Sequence, residues 1–278
     1  MPMTPFPADR LFDWYDRHAR TLPWRRHWPD LAPAYHVWLS EIMLQQTTVT
    51  TVIPYFLEFV RRWPSVCDLA QADSDSVMAA WAGLGYYARA RNLHRTAQIV
   101  CARHGGDFPD SYGDLLVLPG VGPYTAGAIA AMAFGAPAVV VDGNIERVFA
   151  RFYAISAPMP AAKAQIADAY AAQHPGVRPS DYPQALMDFA NAVCTPKSPG
   201  CDGCPMAPGC AAAHAGTPES WPVKAVKKPK PDRYGIAFVA RNYDGKAWLV
   251  TRPESGLLGG MQAFPSAGWT PVDAEMDP

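Results

Sequence analysis

The sequence has no excess of charge of either sign. Its 278 residues carry 24 Lys and Arg against 25 Asp and Glu, a formal net charge of -1. That balance excludes a basic nucleic-acid coat or an acidic tail protein, and it weighs against a partner gripped mainly through phosphate electrostatics. No long apolar run is present either: the longest, Ala126 to Val141, is broken by Gly135 and Pro137 and falls short of the ~20 residues a membrane span needs. The first residues mix Asp9, Arg10, Asp13, Asp16 and Arg17 with no uninterrupted apolar segment, so no targeting peptide is expected and the chain reads as cytoplasmic. Cysteines are few and uneven. Cys194, Cys201, Cys204 and Cys210 fall close together while Cys67 and Cys101 stand alone, which suits a metal site better than a disulfide framework.

What is present is a helical pattern from residue 6 to about 213, with no convincing alternation of period two. Apolar stripes recur over 48–63, 74–81, 86–104, 123–134, 143–153, 161–173 and 181–193, punctuated by glycine and proline where helix ends are expected. The reading is an all-α domain over residues 1–213. Residues 214–233 are rich in proline and lysine and read as an extended linker. Beyond them, 234–240 and 247–251 read as two strands about an Asp244-Gly245 turn. The remaining stretch is too short for a common α/β or β domain, so the chain is expected to stop in mid-domain.

The four clustered cysteines are spaced C-x6-C-x2-C-x5-C. Four thiolates from one loop select zinc or an iron-sulfur cluster, and spacing alone favours the commoner structural zinc. Lys197 projects from the first interval and could meet a phosphate, or be simply solvated. Leu118-Pro119-Gly120-Val121-Gly122 precedes the helix at Pro123. Glycines there let backbone N–H groups approach an anion at a helix N-terminus, although an ordinary helix–helix turn has the same residues.

Taken together, V-W-L-S-E-I-M-L-Q-Q-T at 37–47, W-A-G-L-G-Y-Y-A-R-A-R-N-L-H at 81–94, the hairpin motif at 118–129, V-D-G-N-I-E-R-V at 141–148 and the cysteine loop resemble the MutY-type adenine DNA glycosylases. The resemblance implies an all-α catalytic region made of a helix-hairpin-helix six-helix barrel (hairpin 111–134) and an iron-sulfur helical subdomain (loop 194–210). It also implies that the truncated start of a Nudix-like α/β domain follows over 234–278. It turns the cysteine reading from zinc to a [4Fe-4S] cluster on Cys194, Cys201, Cys204 and Cys210. The implied activity is removal of adenine mispaired with 8-oxoguanine or guanine, by hydrolysis of its N-glycosidic bond after base flipping. The implied partner is double-stranded chromosomal DNA carrying A:8-oxoguanine or A:G mispairs, bound by a monomer.

Breaking a glycosidic bond calls for an acid on the leaving base and a negative group beside the sugar cation. Glu41 lies in an apolar helix that could hold it protonated, or on a solvated face. Asp142 sits where the 143–153 helix begins, as a plain N-cap or as a charged, oriented carboxylate. By resemblance Glu41 is the acid and Asp142 stabilises the cation, with Asn144 and Tyr124 assisting. Tyr124 stands where lyase relatives place a Schiff-base lysine, which implies a glycosylase without efficient strand cleavage. Gln46 and Tyr86 match residues that wedge into the DNA stack, and Trp24, Arg25, Leu44 and Gln184 match the adenine pocket, with an insertion over 27–33 disturbing the register of Arg25. Gly120, Val121, Gly122, Lys197, Arg89 and Arg91 are the expected phosphate contacts, with a shallow salt dependence following from the low net charge. Ser255 to Met261 with Phe264-Pro265 resembles the opening of the Nudix-like domain. Asp188-Phe189-Ala190-Asn191 departs from the family's usual Leu-Gly-Ala with no evident consequence. The competing readings are a bifunctional endonuclease III-like glycosylase/lyase for damaged pyrimidines and a non-catalytic iron-sulfur DNA-binding module.

Overall fold

The structure is a computed structural model, and residues 4–226, 233–253 and 259–271 are described. The chain divides into two compact units, 1–225 and 226–278.

Among its described residues the first unit is built from helices: α1 (Ala8–His18), α2 (Ala34–Leu44), α3 (Val49–Arg62), α4 (Val66–Gln71), α5 (Ser74–Ala80), α6 (Ala88–His104), α7 (Tyr112–Leu116), α8 (Pro123–Phe134), α9 (Gly143–Phe152), α10 (Lys163–Ala172), α11 (Asp181–Ala192) and α12 (Ala211–His214). The expected all-α class is what the chain adopts, with helix ends within a residue or two of those read from periodicity. Patterning missed the short α12, and also α4, which is too short to show a stripe. Its start is set locally: the Ser65 hydroxyl accepts from Asp68 N–H while the Asp68 carboxylate accepts from Ser65 N–H, a reciprocal cap that satisfies two orphan amides.

Helices α2 and α8 are buried on nearly every side. In α2, eight of the residues from Tyr35 to Met43 are buried, and in α8 the whole run Thr125–Ala133 is buried. They pack on one another, with α3 and α6 also against α2. Small residues in α8 make the close approach possible. A Cβ added at Gly127 would lie 2.3 Å from the Val139 carbonyl oxygen, so glycine lets the segment returning from α8 run tight against it. Pro123 at the first position of α8 and Gly135 at φ 66° after its end fix where it starts and stops. A second group forms around α9, which packs on α10, α11 and α12, while α1 packs on α11 and α11 also meets α8.

The sequence expectation for two cysteines is corrected. Cys67 on α4 and Cys101 on α6 are joined in a disulfide; they are 34 residues apart in sequence and only packing of α4 on α6 brings them together. Part of the expected linker is also structured. Met159 N–H donates to Val223 O at 2.8 Å, and Met159 and Lys224 form a β-bridge, so 217–224 lies along the helical unit. Residues 227–232 of the linker lie outside the described residues.

In the second unit β1 (Arg233–Ala237) pairs antiparallel with β4 (Ser266–Pro271), and β2 (Val250–Thr251) with β3 (Gln262–Ala263). The expected turn at Asp244-Gly245 is bracketed by an Arg241–Ala247 bridge, but β1 finds its ladder with the distant β4 rather than with 247–251. Ser255 to Leu258 of the Nudix-like motif lie outside the described residues. No helix among the described residues is long and apolar enough to cross a membrane.

Candidate active site

A cleft of about 710 Å³ opens between α2, α8, the start of α9 and the end of α11. Of the residues singled out in the sequence, Glu41, Tyr124, Asp142, Asn144, Gln46, Trp24, Arg25 and Leu44 all line it.

Glu41 comes from the buried face of α2 and is only 6% exposed. Burial pushes its carboxyl from the ordinary 4.5 up to about 7, and the nearby Asp142 carboxylate adds to the rise, while a hydrogen bond from Tyr124 and the charge of Arg25 pull the other way. The carboxyl is therefore able to hold a proton much closer to neutrality than an exposed glutamate. Burial, with the Glu41 and Asp142 carboxylates nearby, keeps the Tyr124 hydroxyl protonated well beyond its usual range, so it remains a donor.

Asp142 is held differently. Its Oδ1 accepts from Asn144 N–H at 3.0 Å and Ile145 N–H at 2.8 Å, and its Oδ2 from Asn144 Nδ2 at 2.7 Å. The plain cap and the oriented carboxylate are thus the same arrangement, placed where a helix N-terminus favours negative charge. One cleft therefore contains a carboxyl poised to give a proton and a carboxylate fixed as an acceptor.

Arg25 reaches the cleft despite the insertion at 27–33, because a buried carboxylate anchors it. Asp188, 2% exposed, accepts from Arg25 Nη1 at 2.8 and 2.9 Å and from Arg20 Nε at 2.7 Å and Arg20 N–H at 2.9 Å. The segment 188–191 is therefore not without consequence: Asp188 anchors Arg25 and Arg20, and Asn191 lines the cleft. A signal was available, since an aspartate on the buried stripe of a helix needs a cationic partner. Gln184 is the pocket residue that does not line the cleft. It is 2% exposed, its Nε2 donates to Ser180 O at 2.8 Å, and its Oε1 has no partner among the described residues.

The expected DNA contacts divide. Gln46 sits on the cleft rim at φ 59° and Tyr86 stands 67% exposed at φ 49°, two non-glycine residues in the left-handed region, a conformation rarely adopted without local support. In the hairpin, Gly120 has φ 76° with Asn92 packed beneath it, Thr96 Oγ1 donates to Pro119 O at 2.8 Å, and no side chain caps the first amides of α8 after Gly122. Val121 is instead turned inward, 6% exposed, with its N–H given to Leu118 O. Arg89 corrects a further expectation: it is turned into the protein and bonded to backbone carbonyls rather than held out for phosphate. Lys197 is exposed in a loop pinned by Thr195 Oγ1 on Lys197 O, and by Ser198 N–H on the Glu219 carboxylate at 2.5 Å.

Cys194, Cys201, Cys204 and Cys210 form no disulfide and line one small cavity with Val148, Arg151 and Phe189. Arg151 donates to Cys194 Sγ at 3.3 Å and to the Thr195 and Pro196 carbonyls, and reaches Trp221 O in the 217–224 strap at 3.1 Å. Arg147 ties this loop to the cleft, giving Nε to Cys194 O at 2.7 Å and Nη2 to Asn144 Oδ1 at 3.2 Å. No group of three or more His, Cys, Asp or Glu among the described residues is placed to hold a single metal ion.

Comparison with known proteins follows the same lines. A family model described as HhH-GPD superfamily base excision DNA repair protein matches residues 39–169. The adenine DNA glycosylase of Homo sapiens is 38% identical over 95% of this chain and 58% of its own length, that of Arabidopsis thaliana 39% over 92% and 46%, and that of Buchnera aphidicola (strain APS) 33% over 92% and 72%. The chain thus spans about half the length of the first two. Among solved structures, a thermostable thymine-DNA glycosylase superposes with a TM-score of 0.67 at 26% identity, covering 74% of this chain and 94% of that one. An endonuclease III in a non-covalent DNA complex gives 0.63 at 21%, covering 74% and 93%, a likeness of fold.

Proposed function

The chain belongs to the adenine DNA glycosylase family, and from that premise we propose that it removes adenine from duplex DNA by hydrolysing the N-glycosidic bond of an extruded nucleotide. The observation that carries this is the pairing of unlike carboxyls in one cleft: Glu41, raised to about 7 by burial, and Asp142, fixed by three N–H donors. Glu41 protonates N7 of the leaving base. As the bond breaks, positive charge grows on the sugar, and the Asp142 carboxylate faces it without reorganising, since α9 already holds it. Glu41, now ionised, accepts a proton from the attacking water. Tyr124 donates to Glu41 and is not an amine, so no Schiff base forms with the opened sugar and the product is an abasic site.

The preferred substrate is adenine opposite 8-oxoguanine or guanine, met by a monomer on chromosomal DNA. Gln46 and Tyr86 enter the stack, the α8 hairpin takes a phosphate on its uncapped amides, and Trp24, Arg25 and Leu44 close on the base. The four cysteines hold a [4Fe-4S] cluster. Four thiols lining one cavity are a donor set that suits an iron-sulfur cluster. The cluster's contribution is structural, since all four ligands are protein thiolates.

The test is incubation of an 8-oxoguanine:A duplex with the protein and with Glu41→Gln, followed by alkali. Strand scission with wild type and none with the variant is expected; no scission by wild type defeats the function, and equal scission by both defeats the mechanism. Borohydride trapping in high yield would reinstate a lyase. Iron and sulfide analysis of the purified protein tests the cluster, and zinc in their place refutes it.

A further inference from the structure

Helix α2 ends abruptly just past Glu41, in a turn where Gln46 takes φ 59° and Thr47 N–H donates to Leu44 O at 3.2 Å. No glycine follows it, no basic residue lies in its last turn, and its C-cap is Gln45. The last carbonyls of a helix have no partners within it. Here Ile42 O and Met43 O, with the Gln45 O that follows, are met from α6 by one side chain. Arg89 Nη1 donates to Ile42 O and Met43 O at 3.1 Å each and to Gln45 O, while its Nη2 donates to Leu84 O at 2.8 Å and Gly85 O at 3.3 Å. One guanidinium therefore joins the end of α2 to the 82–86 loop.

That loop is itself built to hold a shape. Tyr55 Oη donates to Ala82 O at 2.7 Å, and Trp81 Nε1 to Gly85 O at 3.0 Å. A Cβ at Gly83 would fall 2.2 Å from the Tyr55 hydroxyl. The loop delivers Tyr86 to the surface, 67% exposed, yet the ring is not free of the interior. The guanidinium carbon of Arg89 lies 5.5 Å from the Tyr86 ring centroid and 5.3 Å from that of buried Trp81, within the range of cation–π attraction. The exposed ring, the cation and the carbonyl one residue beyond Glu41 form a continuous contact.

We infer that Arg89 is a positioning residue that couples the seating of Tyr86 against DNA to the placement of Glu41 in the cleft. The inference rests on the glycosylase reading above. A planar fork is required for this, because two separate sets of carbonyls must be held at once, and an ammonium at the end of a flexible stem cannot span both. When Tyr86 is pressed into a DNA stack, the guanidinium beneath it is fixed, and with it the turn of α2 that carries the acid. Small displacements there matter, since ~1 Å of misplacement in a catalytic group can cost about 100-fold.

The experiment measures single-turnover adenine release from an 8-oxoguanine:A duplex between pH 5 and 9, duplex affinity, and extrusion by fluorescence of 2-aminopurine replacing the adenine. The proteins are wild type, Arg89→Lys, Tyr86→Leu, the double variant, and Tyr55→Phe, which removes only the hydroxyl that bonds Ala82 O in the loop. The groups acting on Glu41 are Tyr124, Asp142 and Arg25, and all are retained throughout. Arg89→Lys is expected to slow release roughly 10- to 100-fold with affinity changed less than about threefold. It also moves the alkaline limb to lower pH, because a loosened α2 admits water to Glu41. Tyr86→Leu moves that limb in the same direction through Arg89 alone, the double variant is no slower than the slower single one, and Tyr55→Phe alters extrusion only. An unchanged limb in both Arg89→Lys and Tyr86→Leu, or losses that multiply in the double variant, overturns the inference. Should Arg89→Lys fail to fold, the limb of Tyr86→Leu, a surface change, decides alone. Wild type releasing no adenine is a failure of the glycosylase reading and is distinguishable from both.

Discussion

Replacing Glu41 by glutamine should make the protein more stable in alkali while abolishing its activity. In the folded state burial holds the Glu41 carboxyl at about 7, against 4.5 when unhindered. At about 1.4 kcal/mol per pH unit, ionising it inside the protein costs roughly 3 kcal/mol. The folded chain keeps this proton where the unfolded chain has already lost it, so stability declines as pH rises from 4.5 towards 7. Below 4.5 both states are protonated and the cost vanishes; above 7 it is paid in full. Glutamine carries no charge at any pH and can still accept from Tyr124. Urea denaturation of wild type and Glu41→Gln at pH 5 and pH 8 therefore isolates the effect: the gap between the two proteins should widen in favour of the variant by roughly 2 to 3 kcal/mol at the higher pH. A gap that is the same at both values would refute the reasoning, because it would mean that Glu41 ionises as easily inside the fold as outside it.

The other expectations are more local. Tyr124→Phe removes a hydrogen bond that favours ionised Glu41, so the alkaline limb of the activity profile should move to higher pH; a shift to lower pH would contradict the assignment. Asp142→Asn keeps an oxygen for the Asn144 and Ile145 amides, so melting should show a loss of no more than about 1 kcal/mol. Adenine release should nonetheless fall roughly 100-fold or more, and comparable activity would remove Asp142 from the chemistry. Gly127→Ala places a methyl against the Val139 carbonyl and should cost about 1–3 kcal/mol in urea denaturation; a neutral outcome would show that α8 and 136–141 are not in close contact.

Most of the helical unit was legible because its helices are long and bury a periodic stripe. Proline at the first position of α8 and the aspartate cap of α9 mark their starts in the sequence as they do in space. What escaped reading depends on partners far apart in the chain. Cys67 and Cys101 look solitary until α4 packs on α6. Arg89 reads as a phosphate contact until its acceptors, 44 to 47 residues away on α2, are placed around it. Asp188 gains a role only when Arg20 and Arg25, over 160 residues earlier, arrive at it. In the cleft, residue types chosen for chemistry were found, whereas those that orient them, such as Asp188 and Arg147, carry no signature beyond being charged where burial is expected. Gln184 shows the converse, a match by type that packing turns away from the cleft.

The strap at 217–224 bears on how this molecule can be cut. Composition suggests trimming at 213, where proline and lysine begin. The boundary of the folded unit lies instead at 225, and residues between bond to it through Glu219, Trp221 and Val223. A chain ended at 213 would leave Arg151 without the Trp221 carbonyl, Ser198 without the Glu219 carboxylate and Met159 without Val223. All but the last of these bear on the cysteine loop, which through Arg147 and Asn144 meets Asp142. A shortened fragment should therefore end after 225, and a loosened cysteine loop in one that ends earlier would be a consequence of where it was cut rather than of which cysteines it retains.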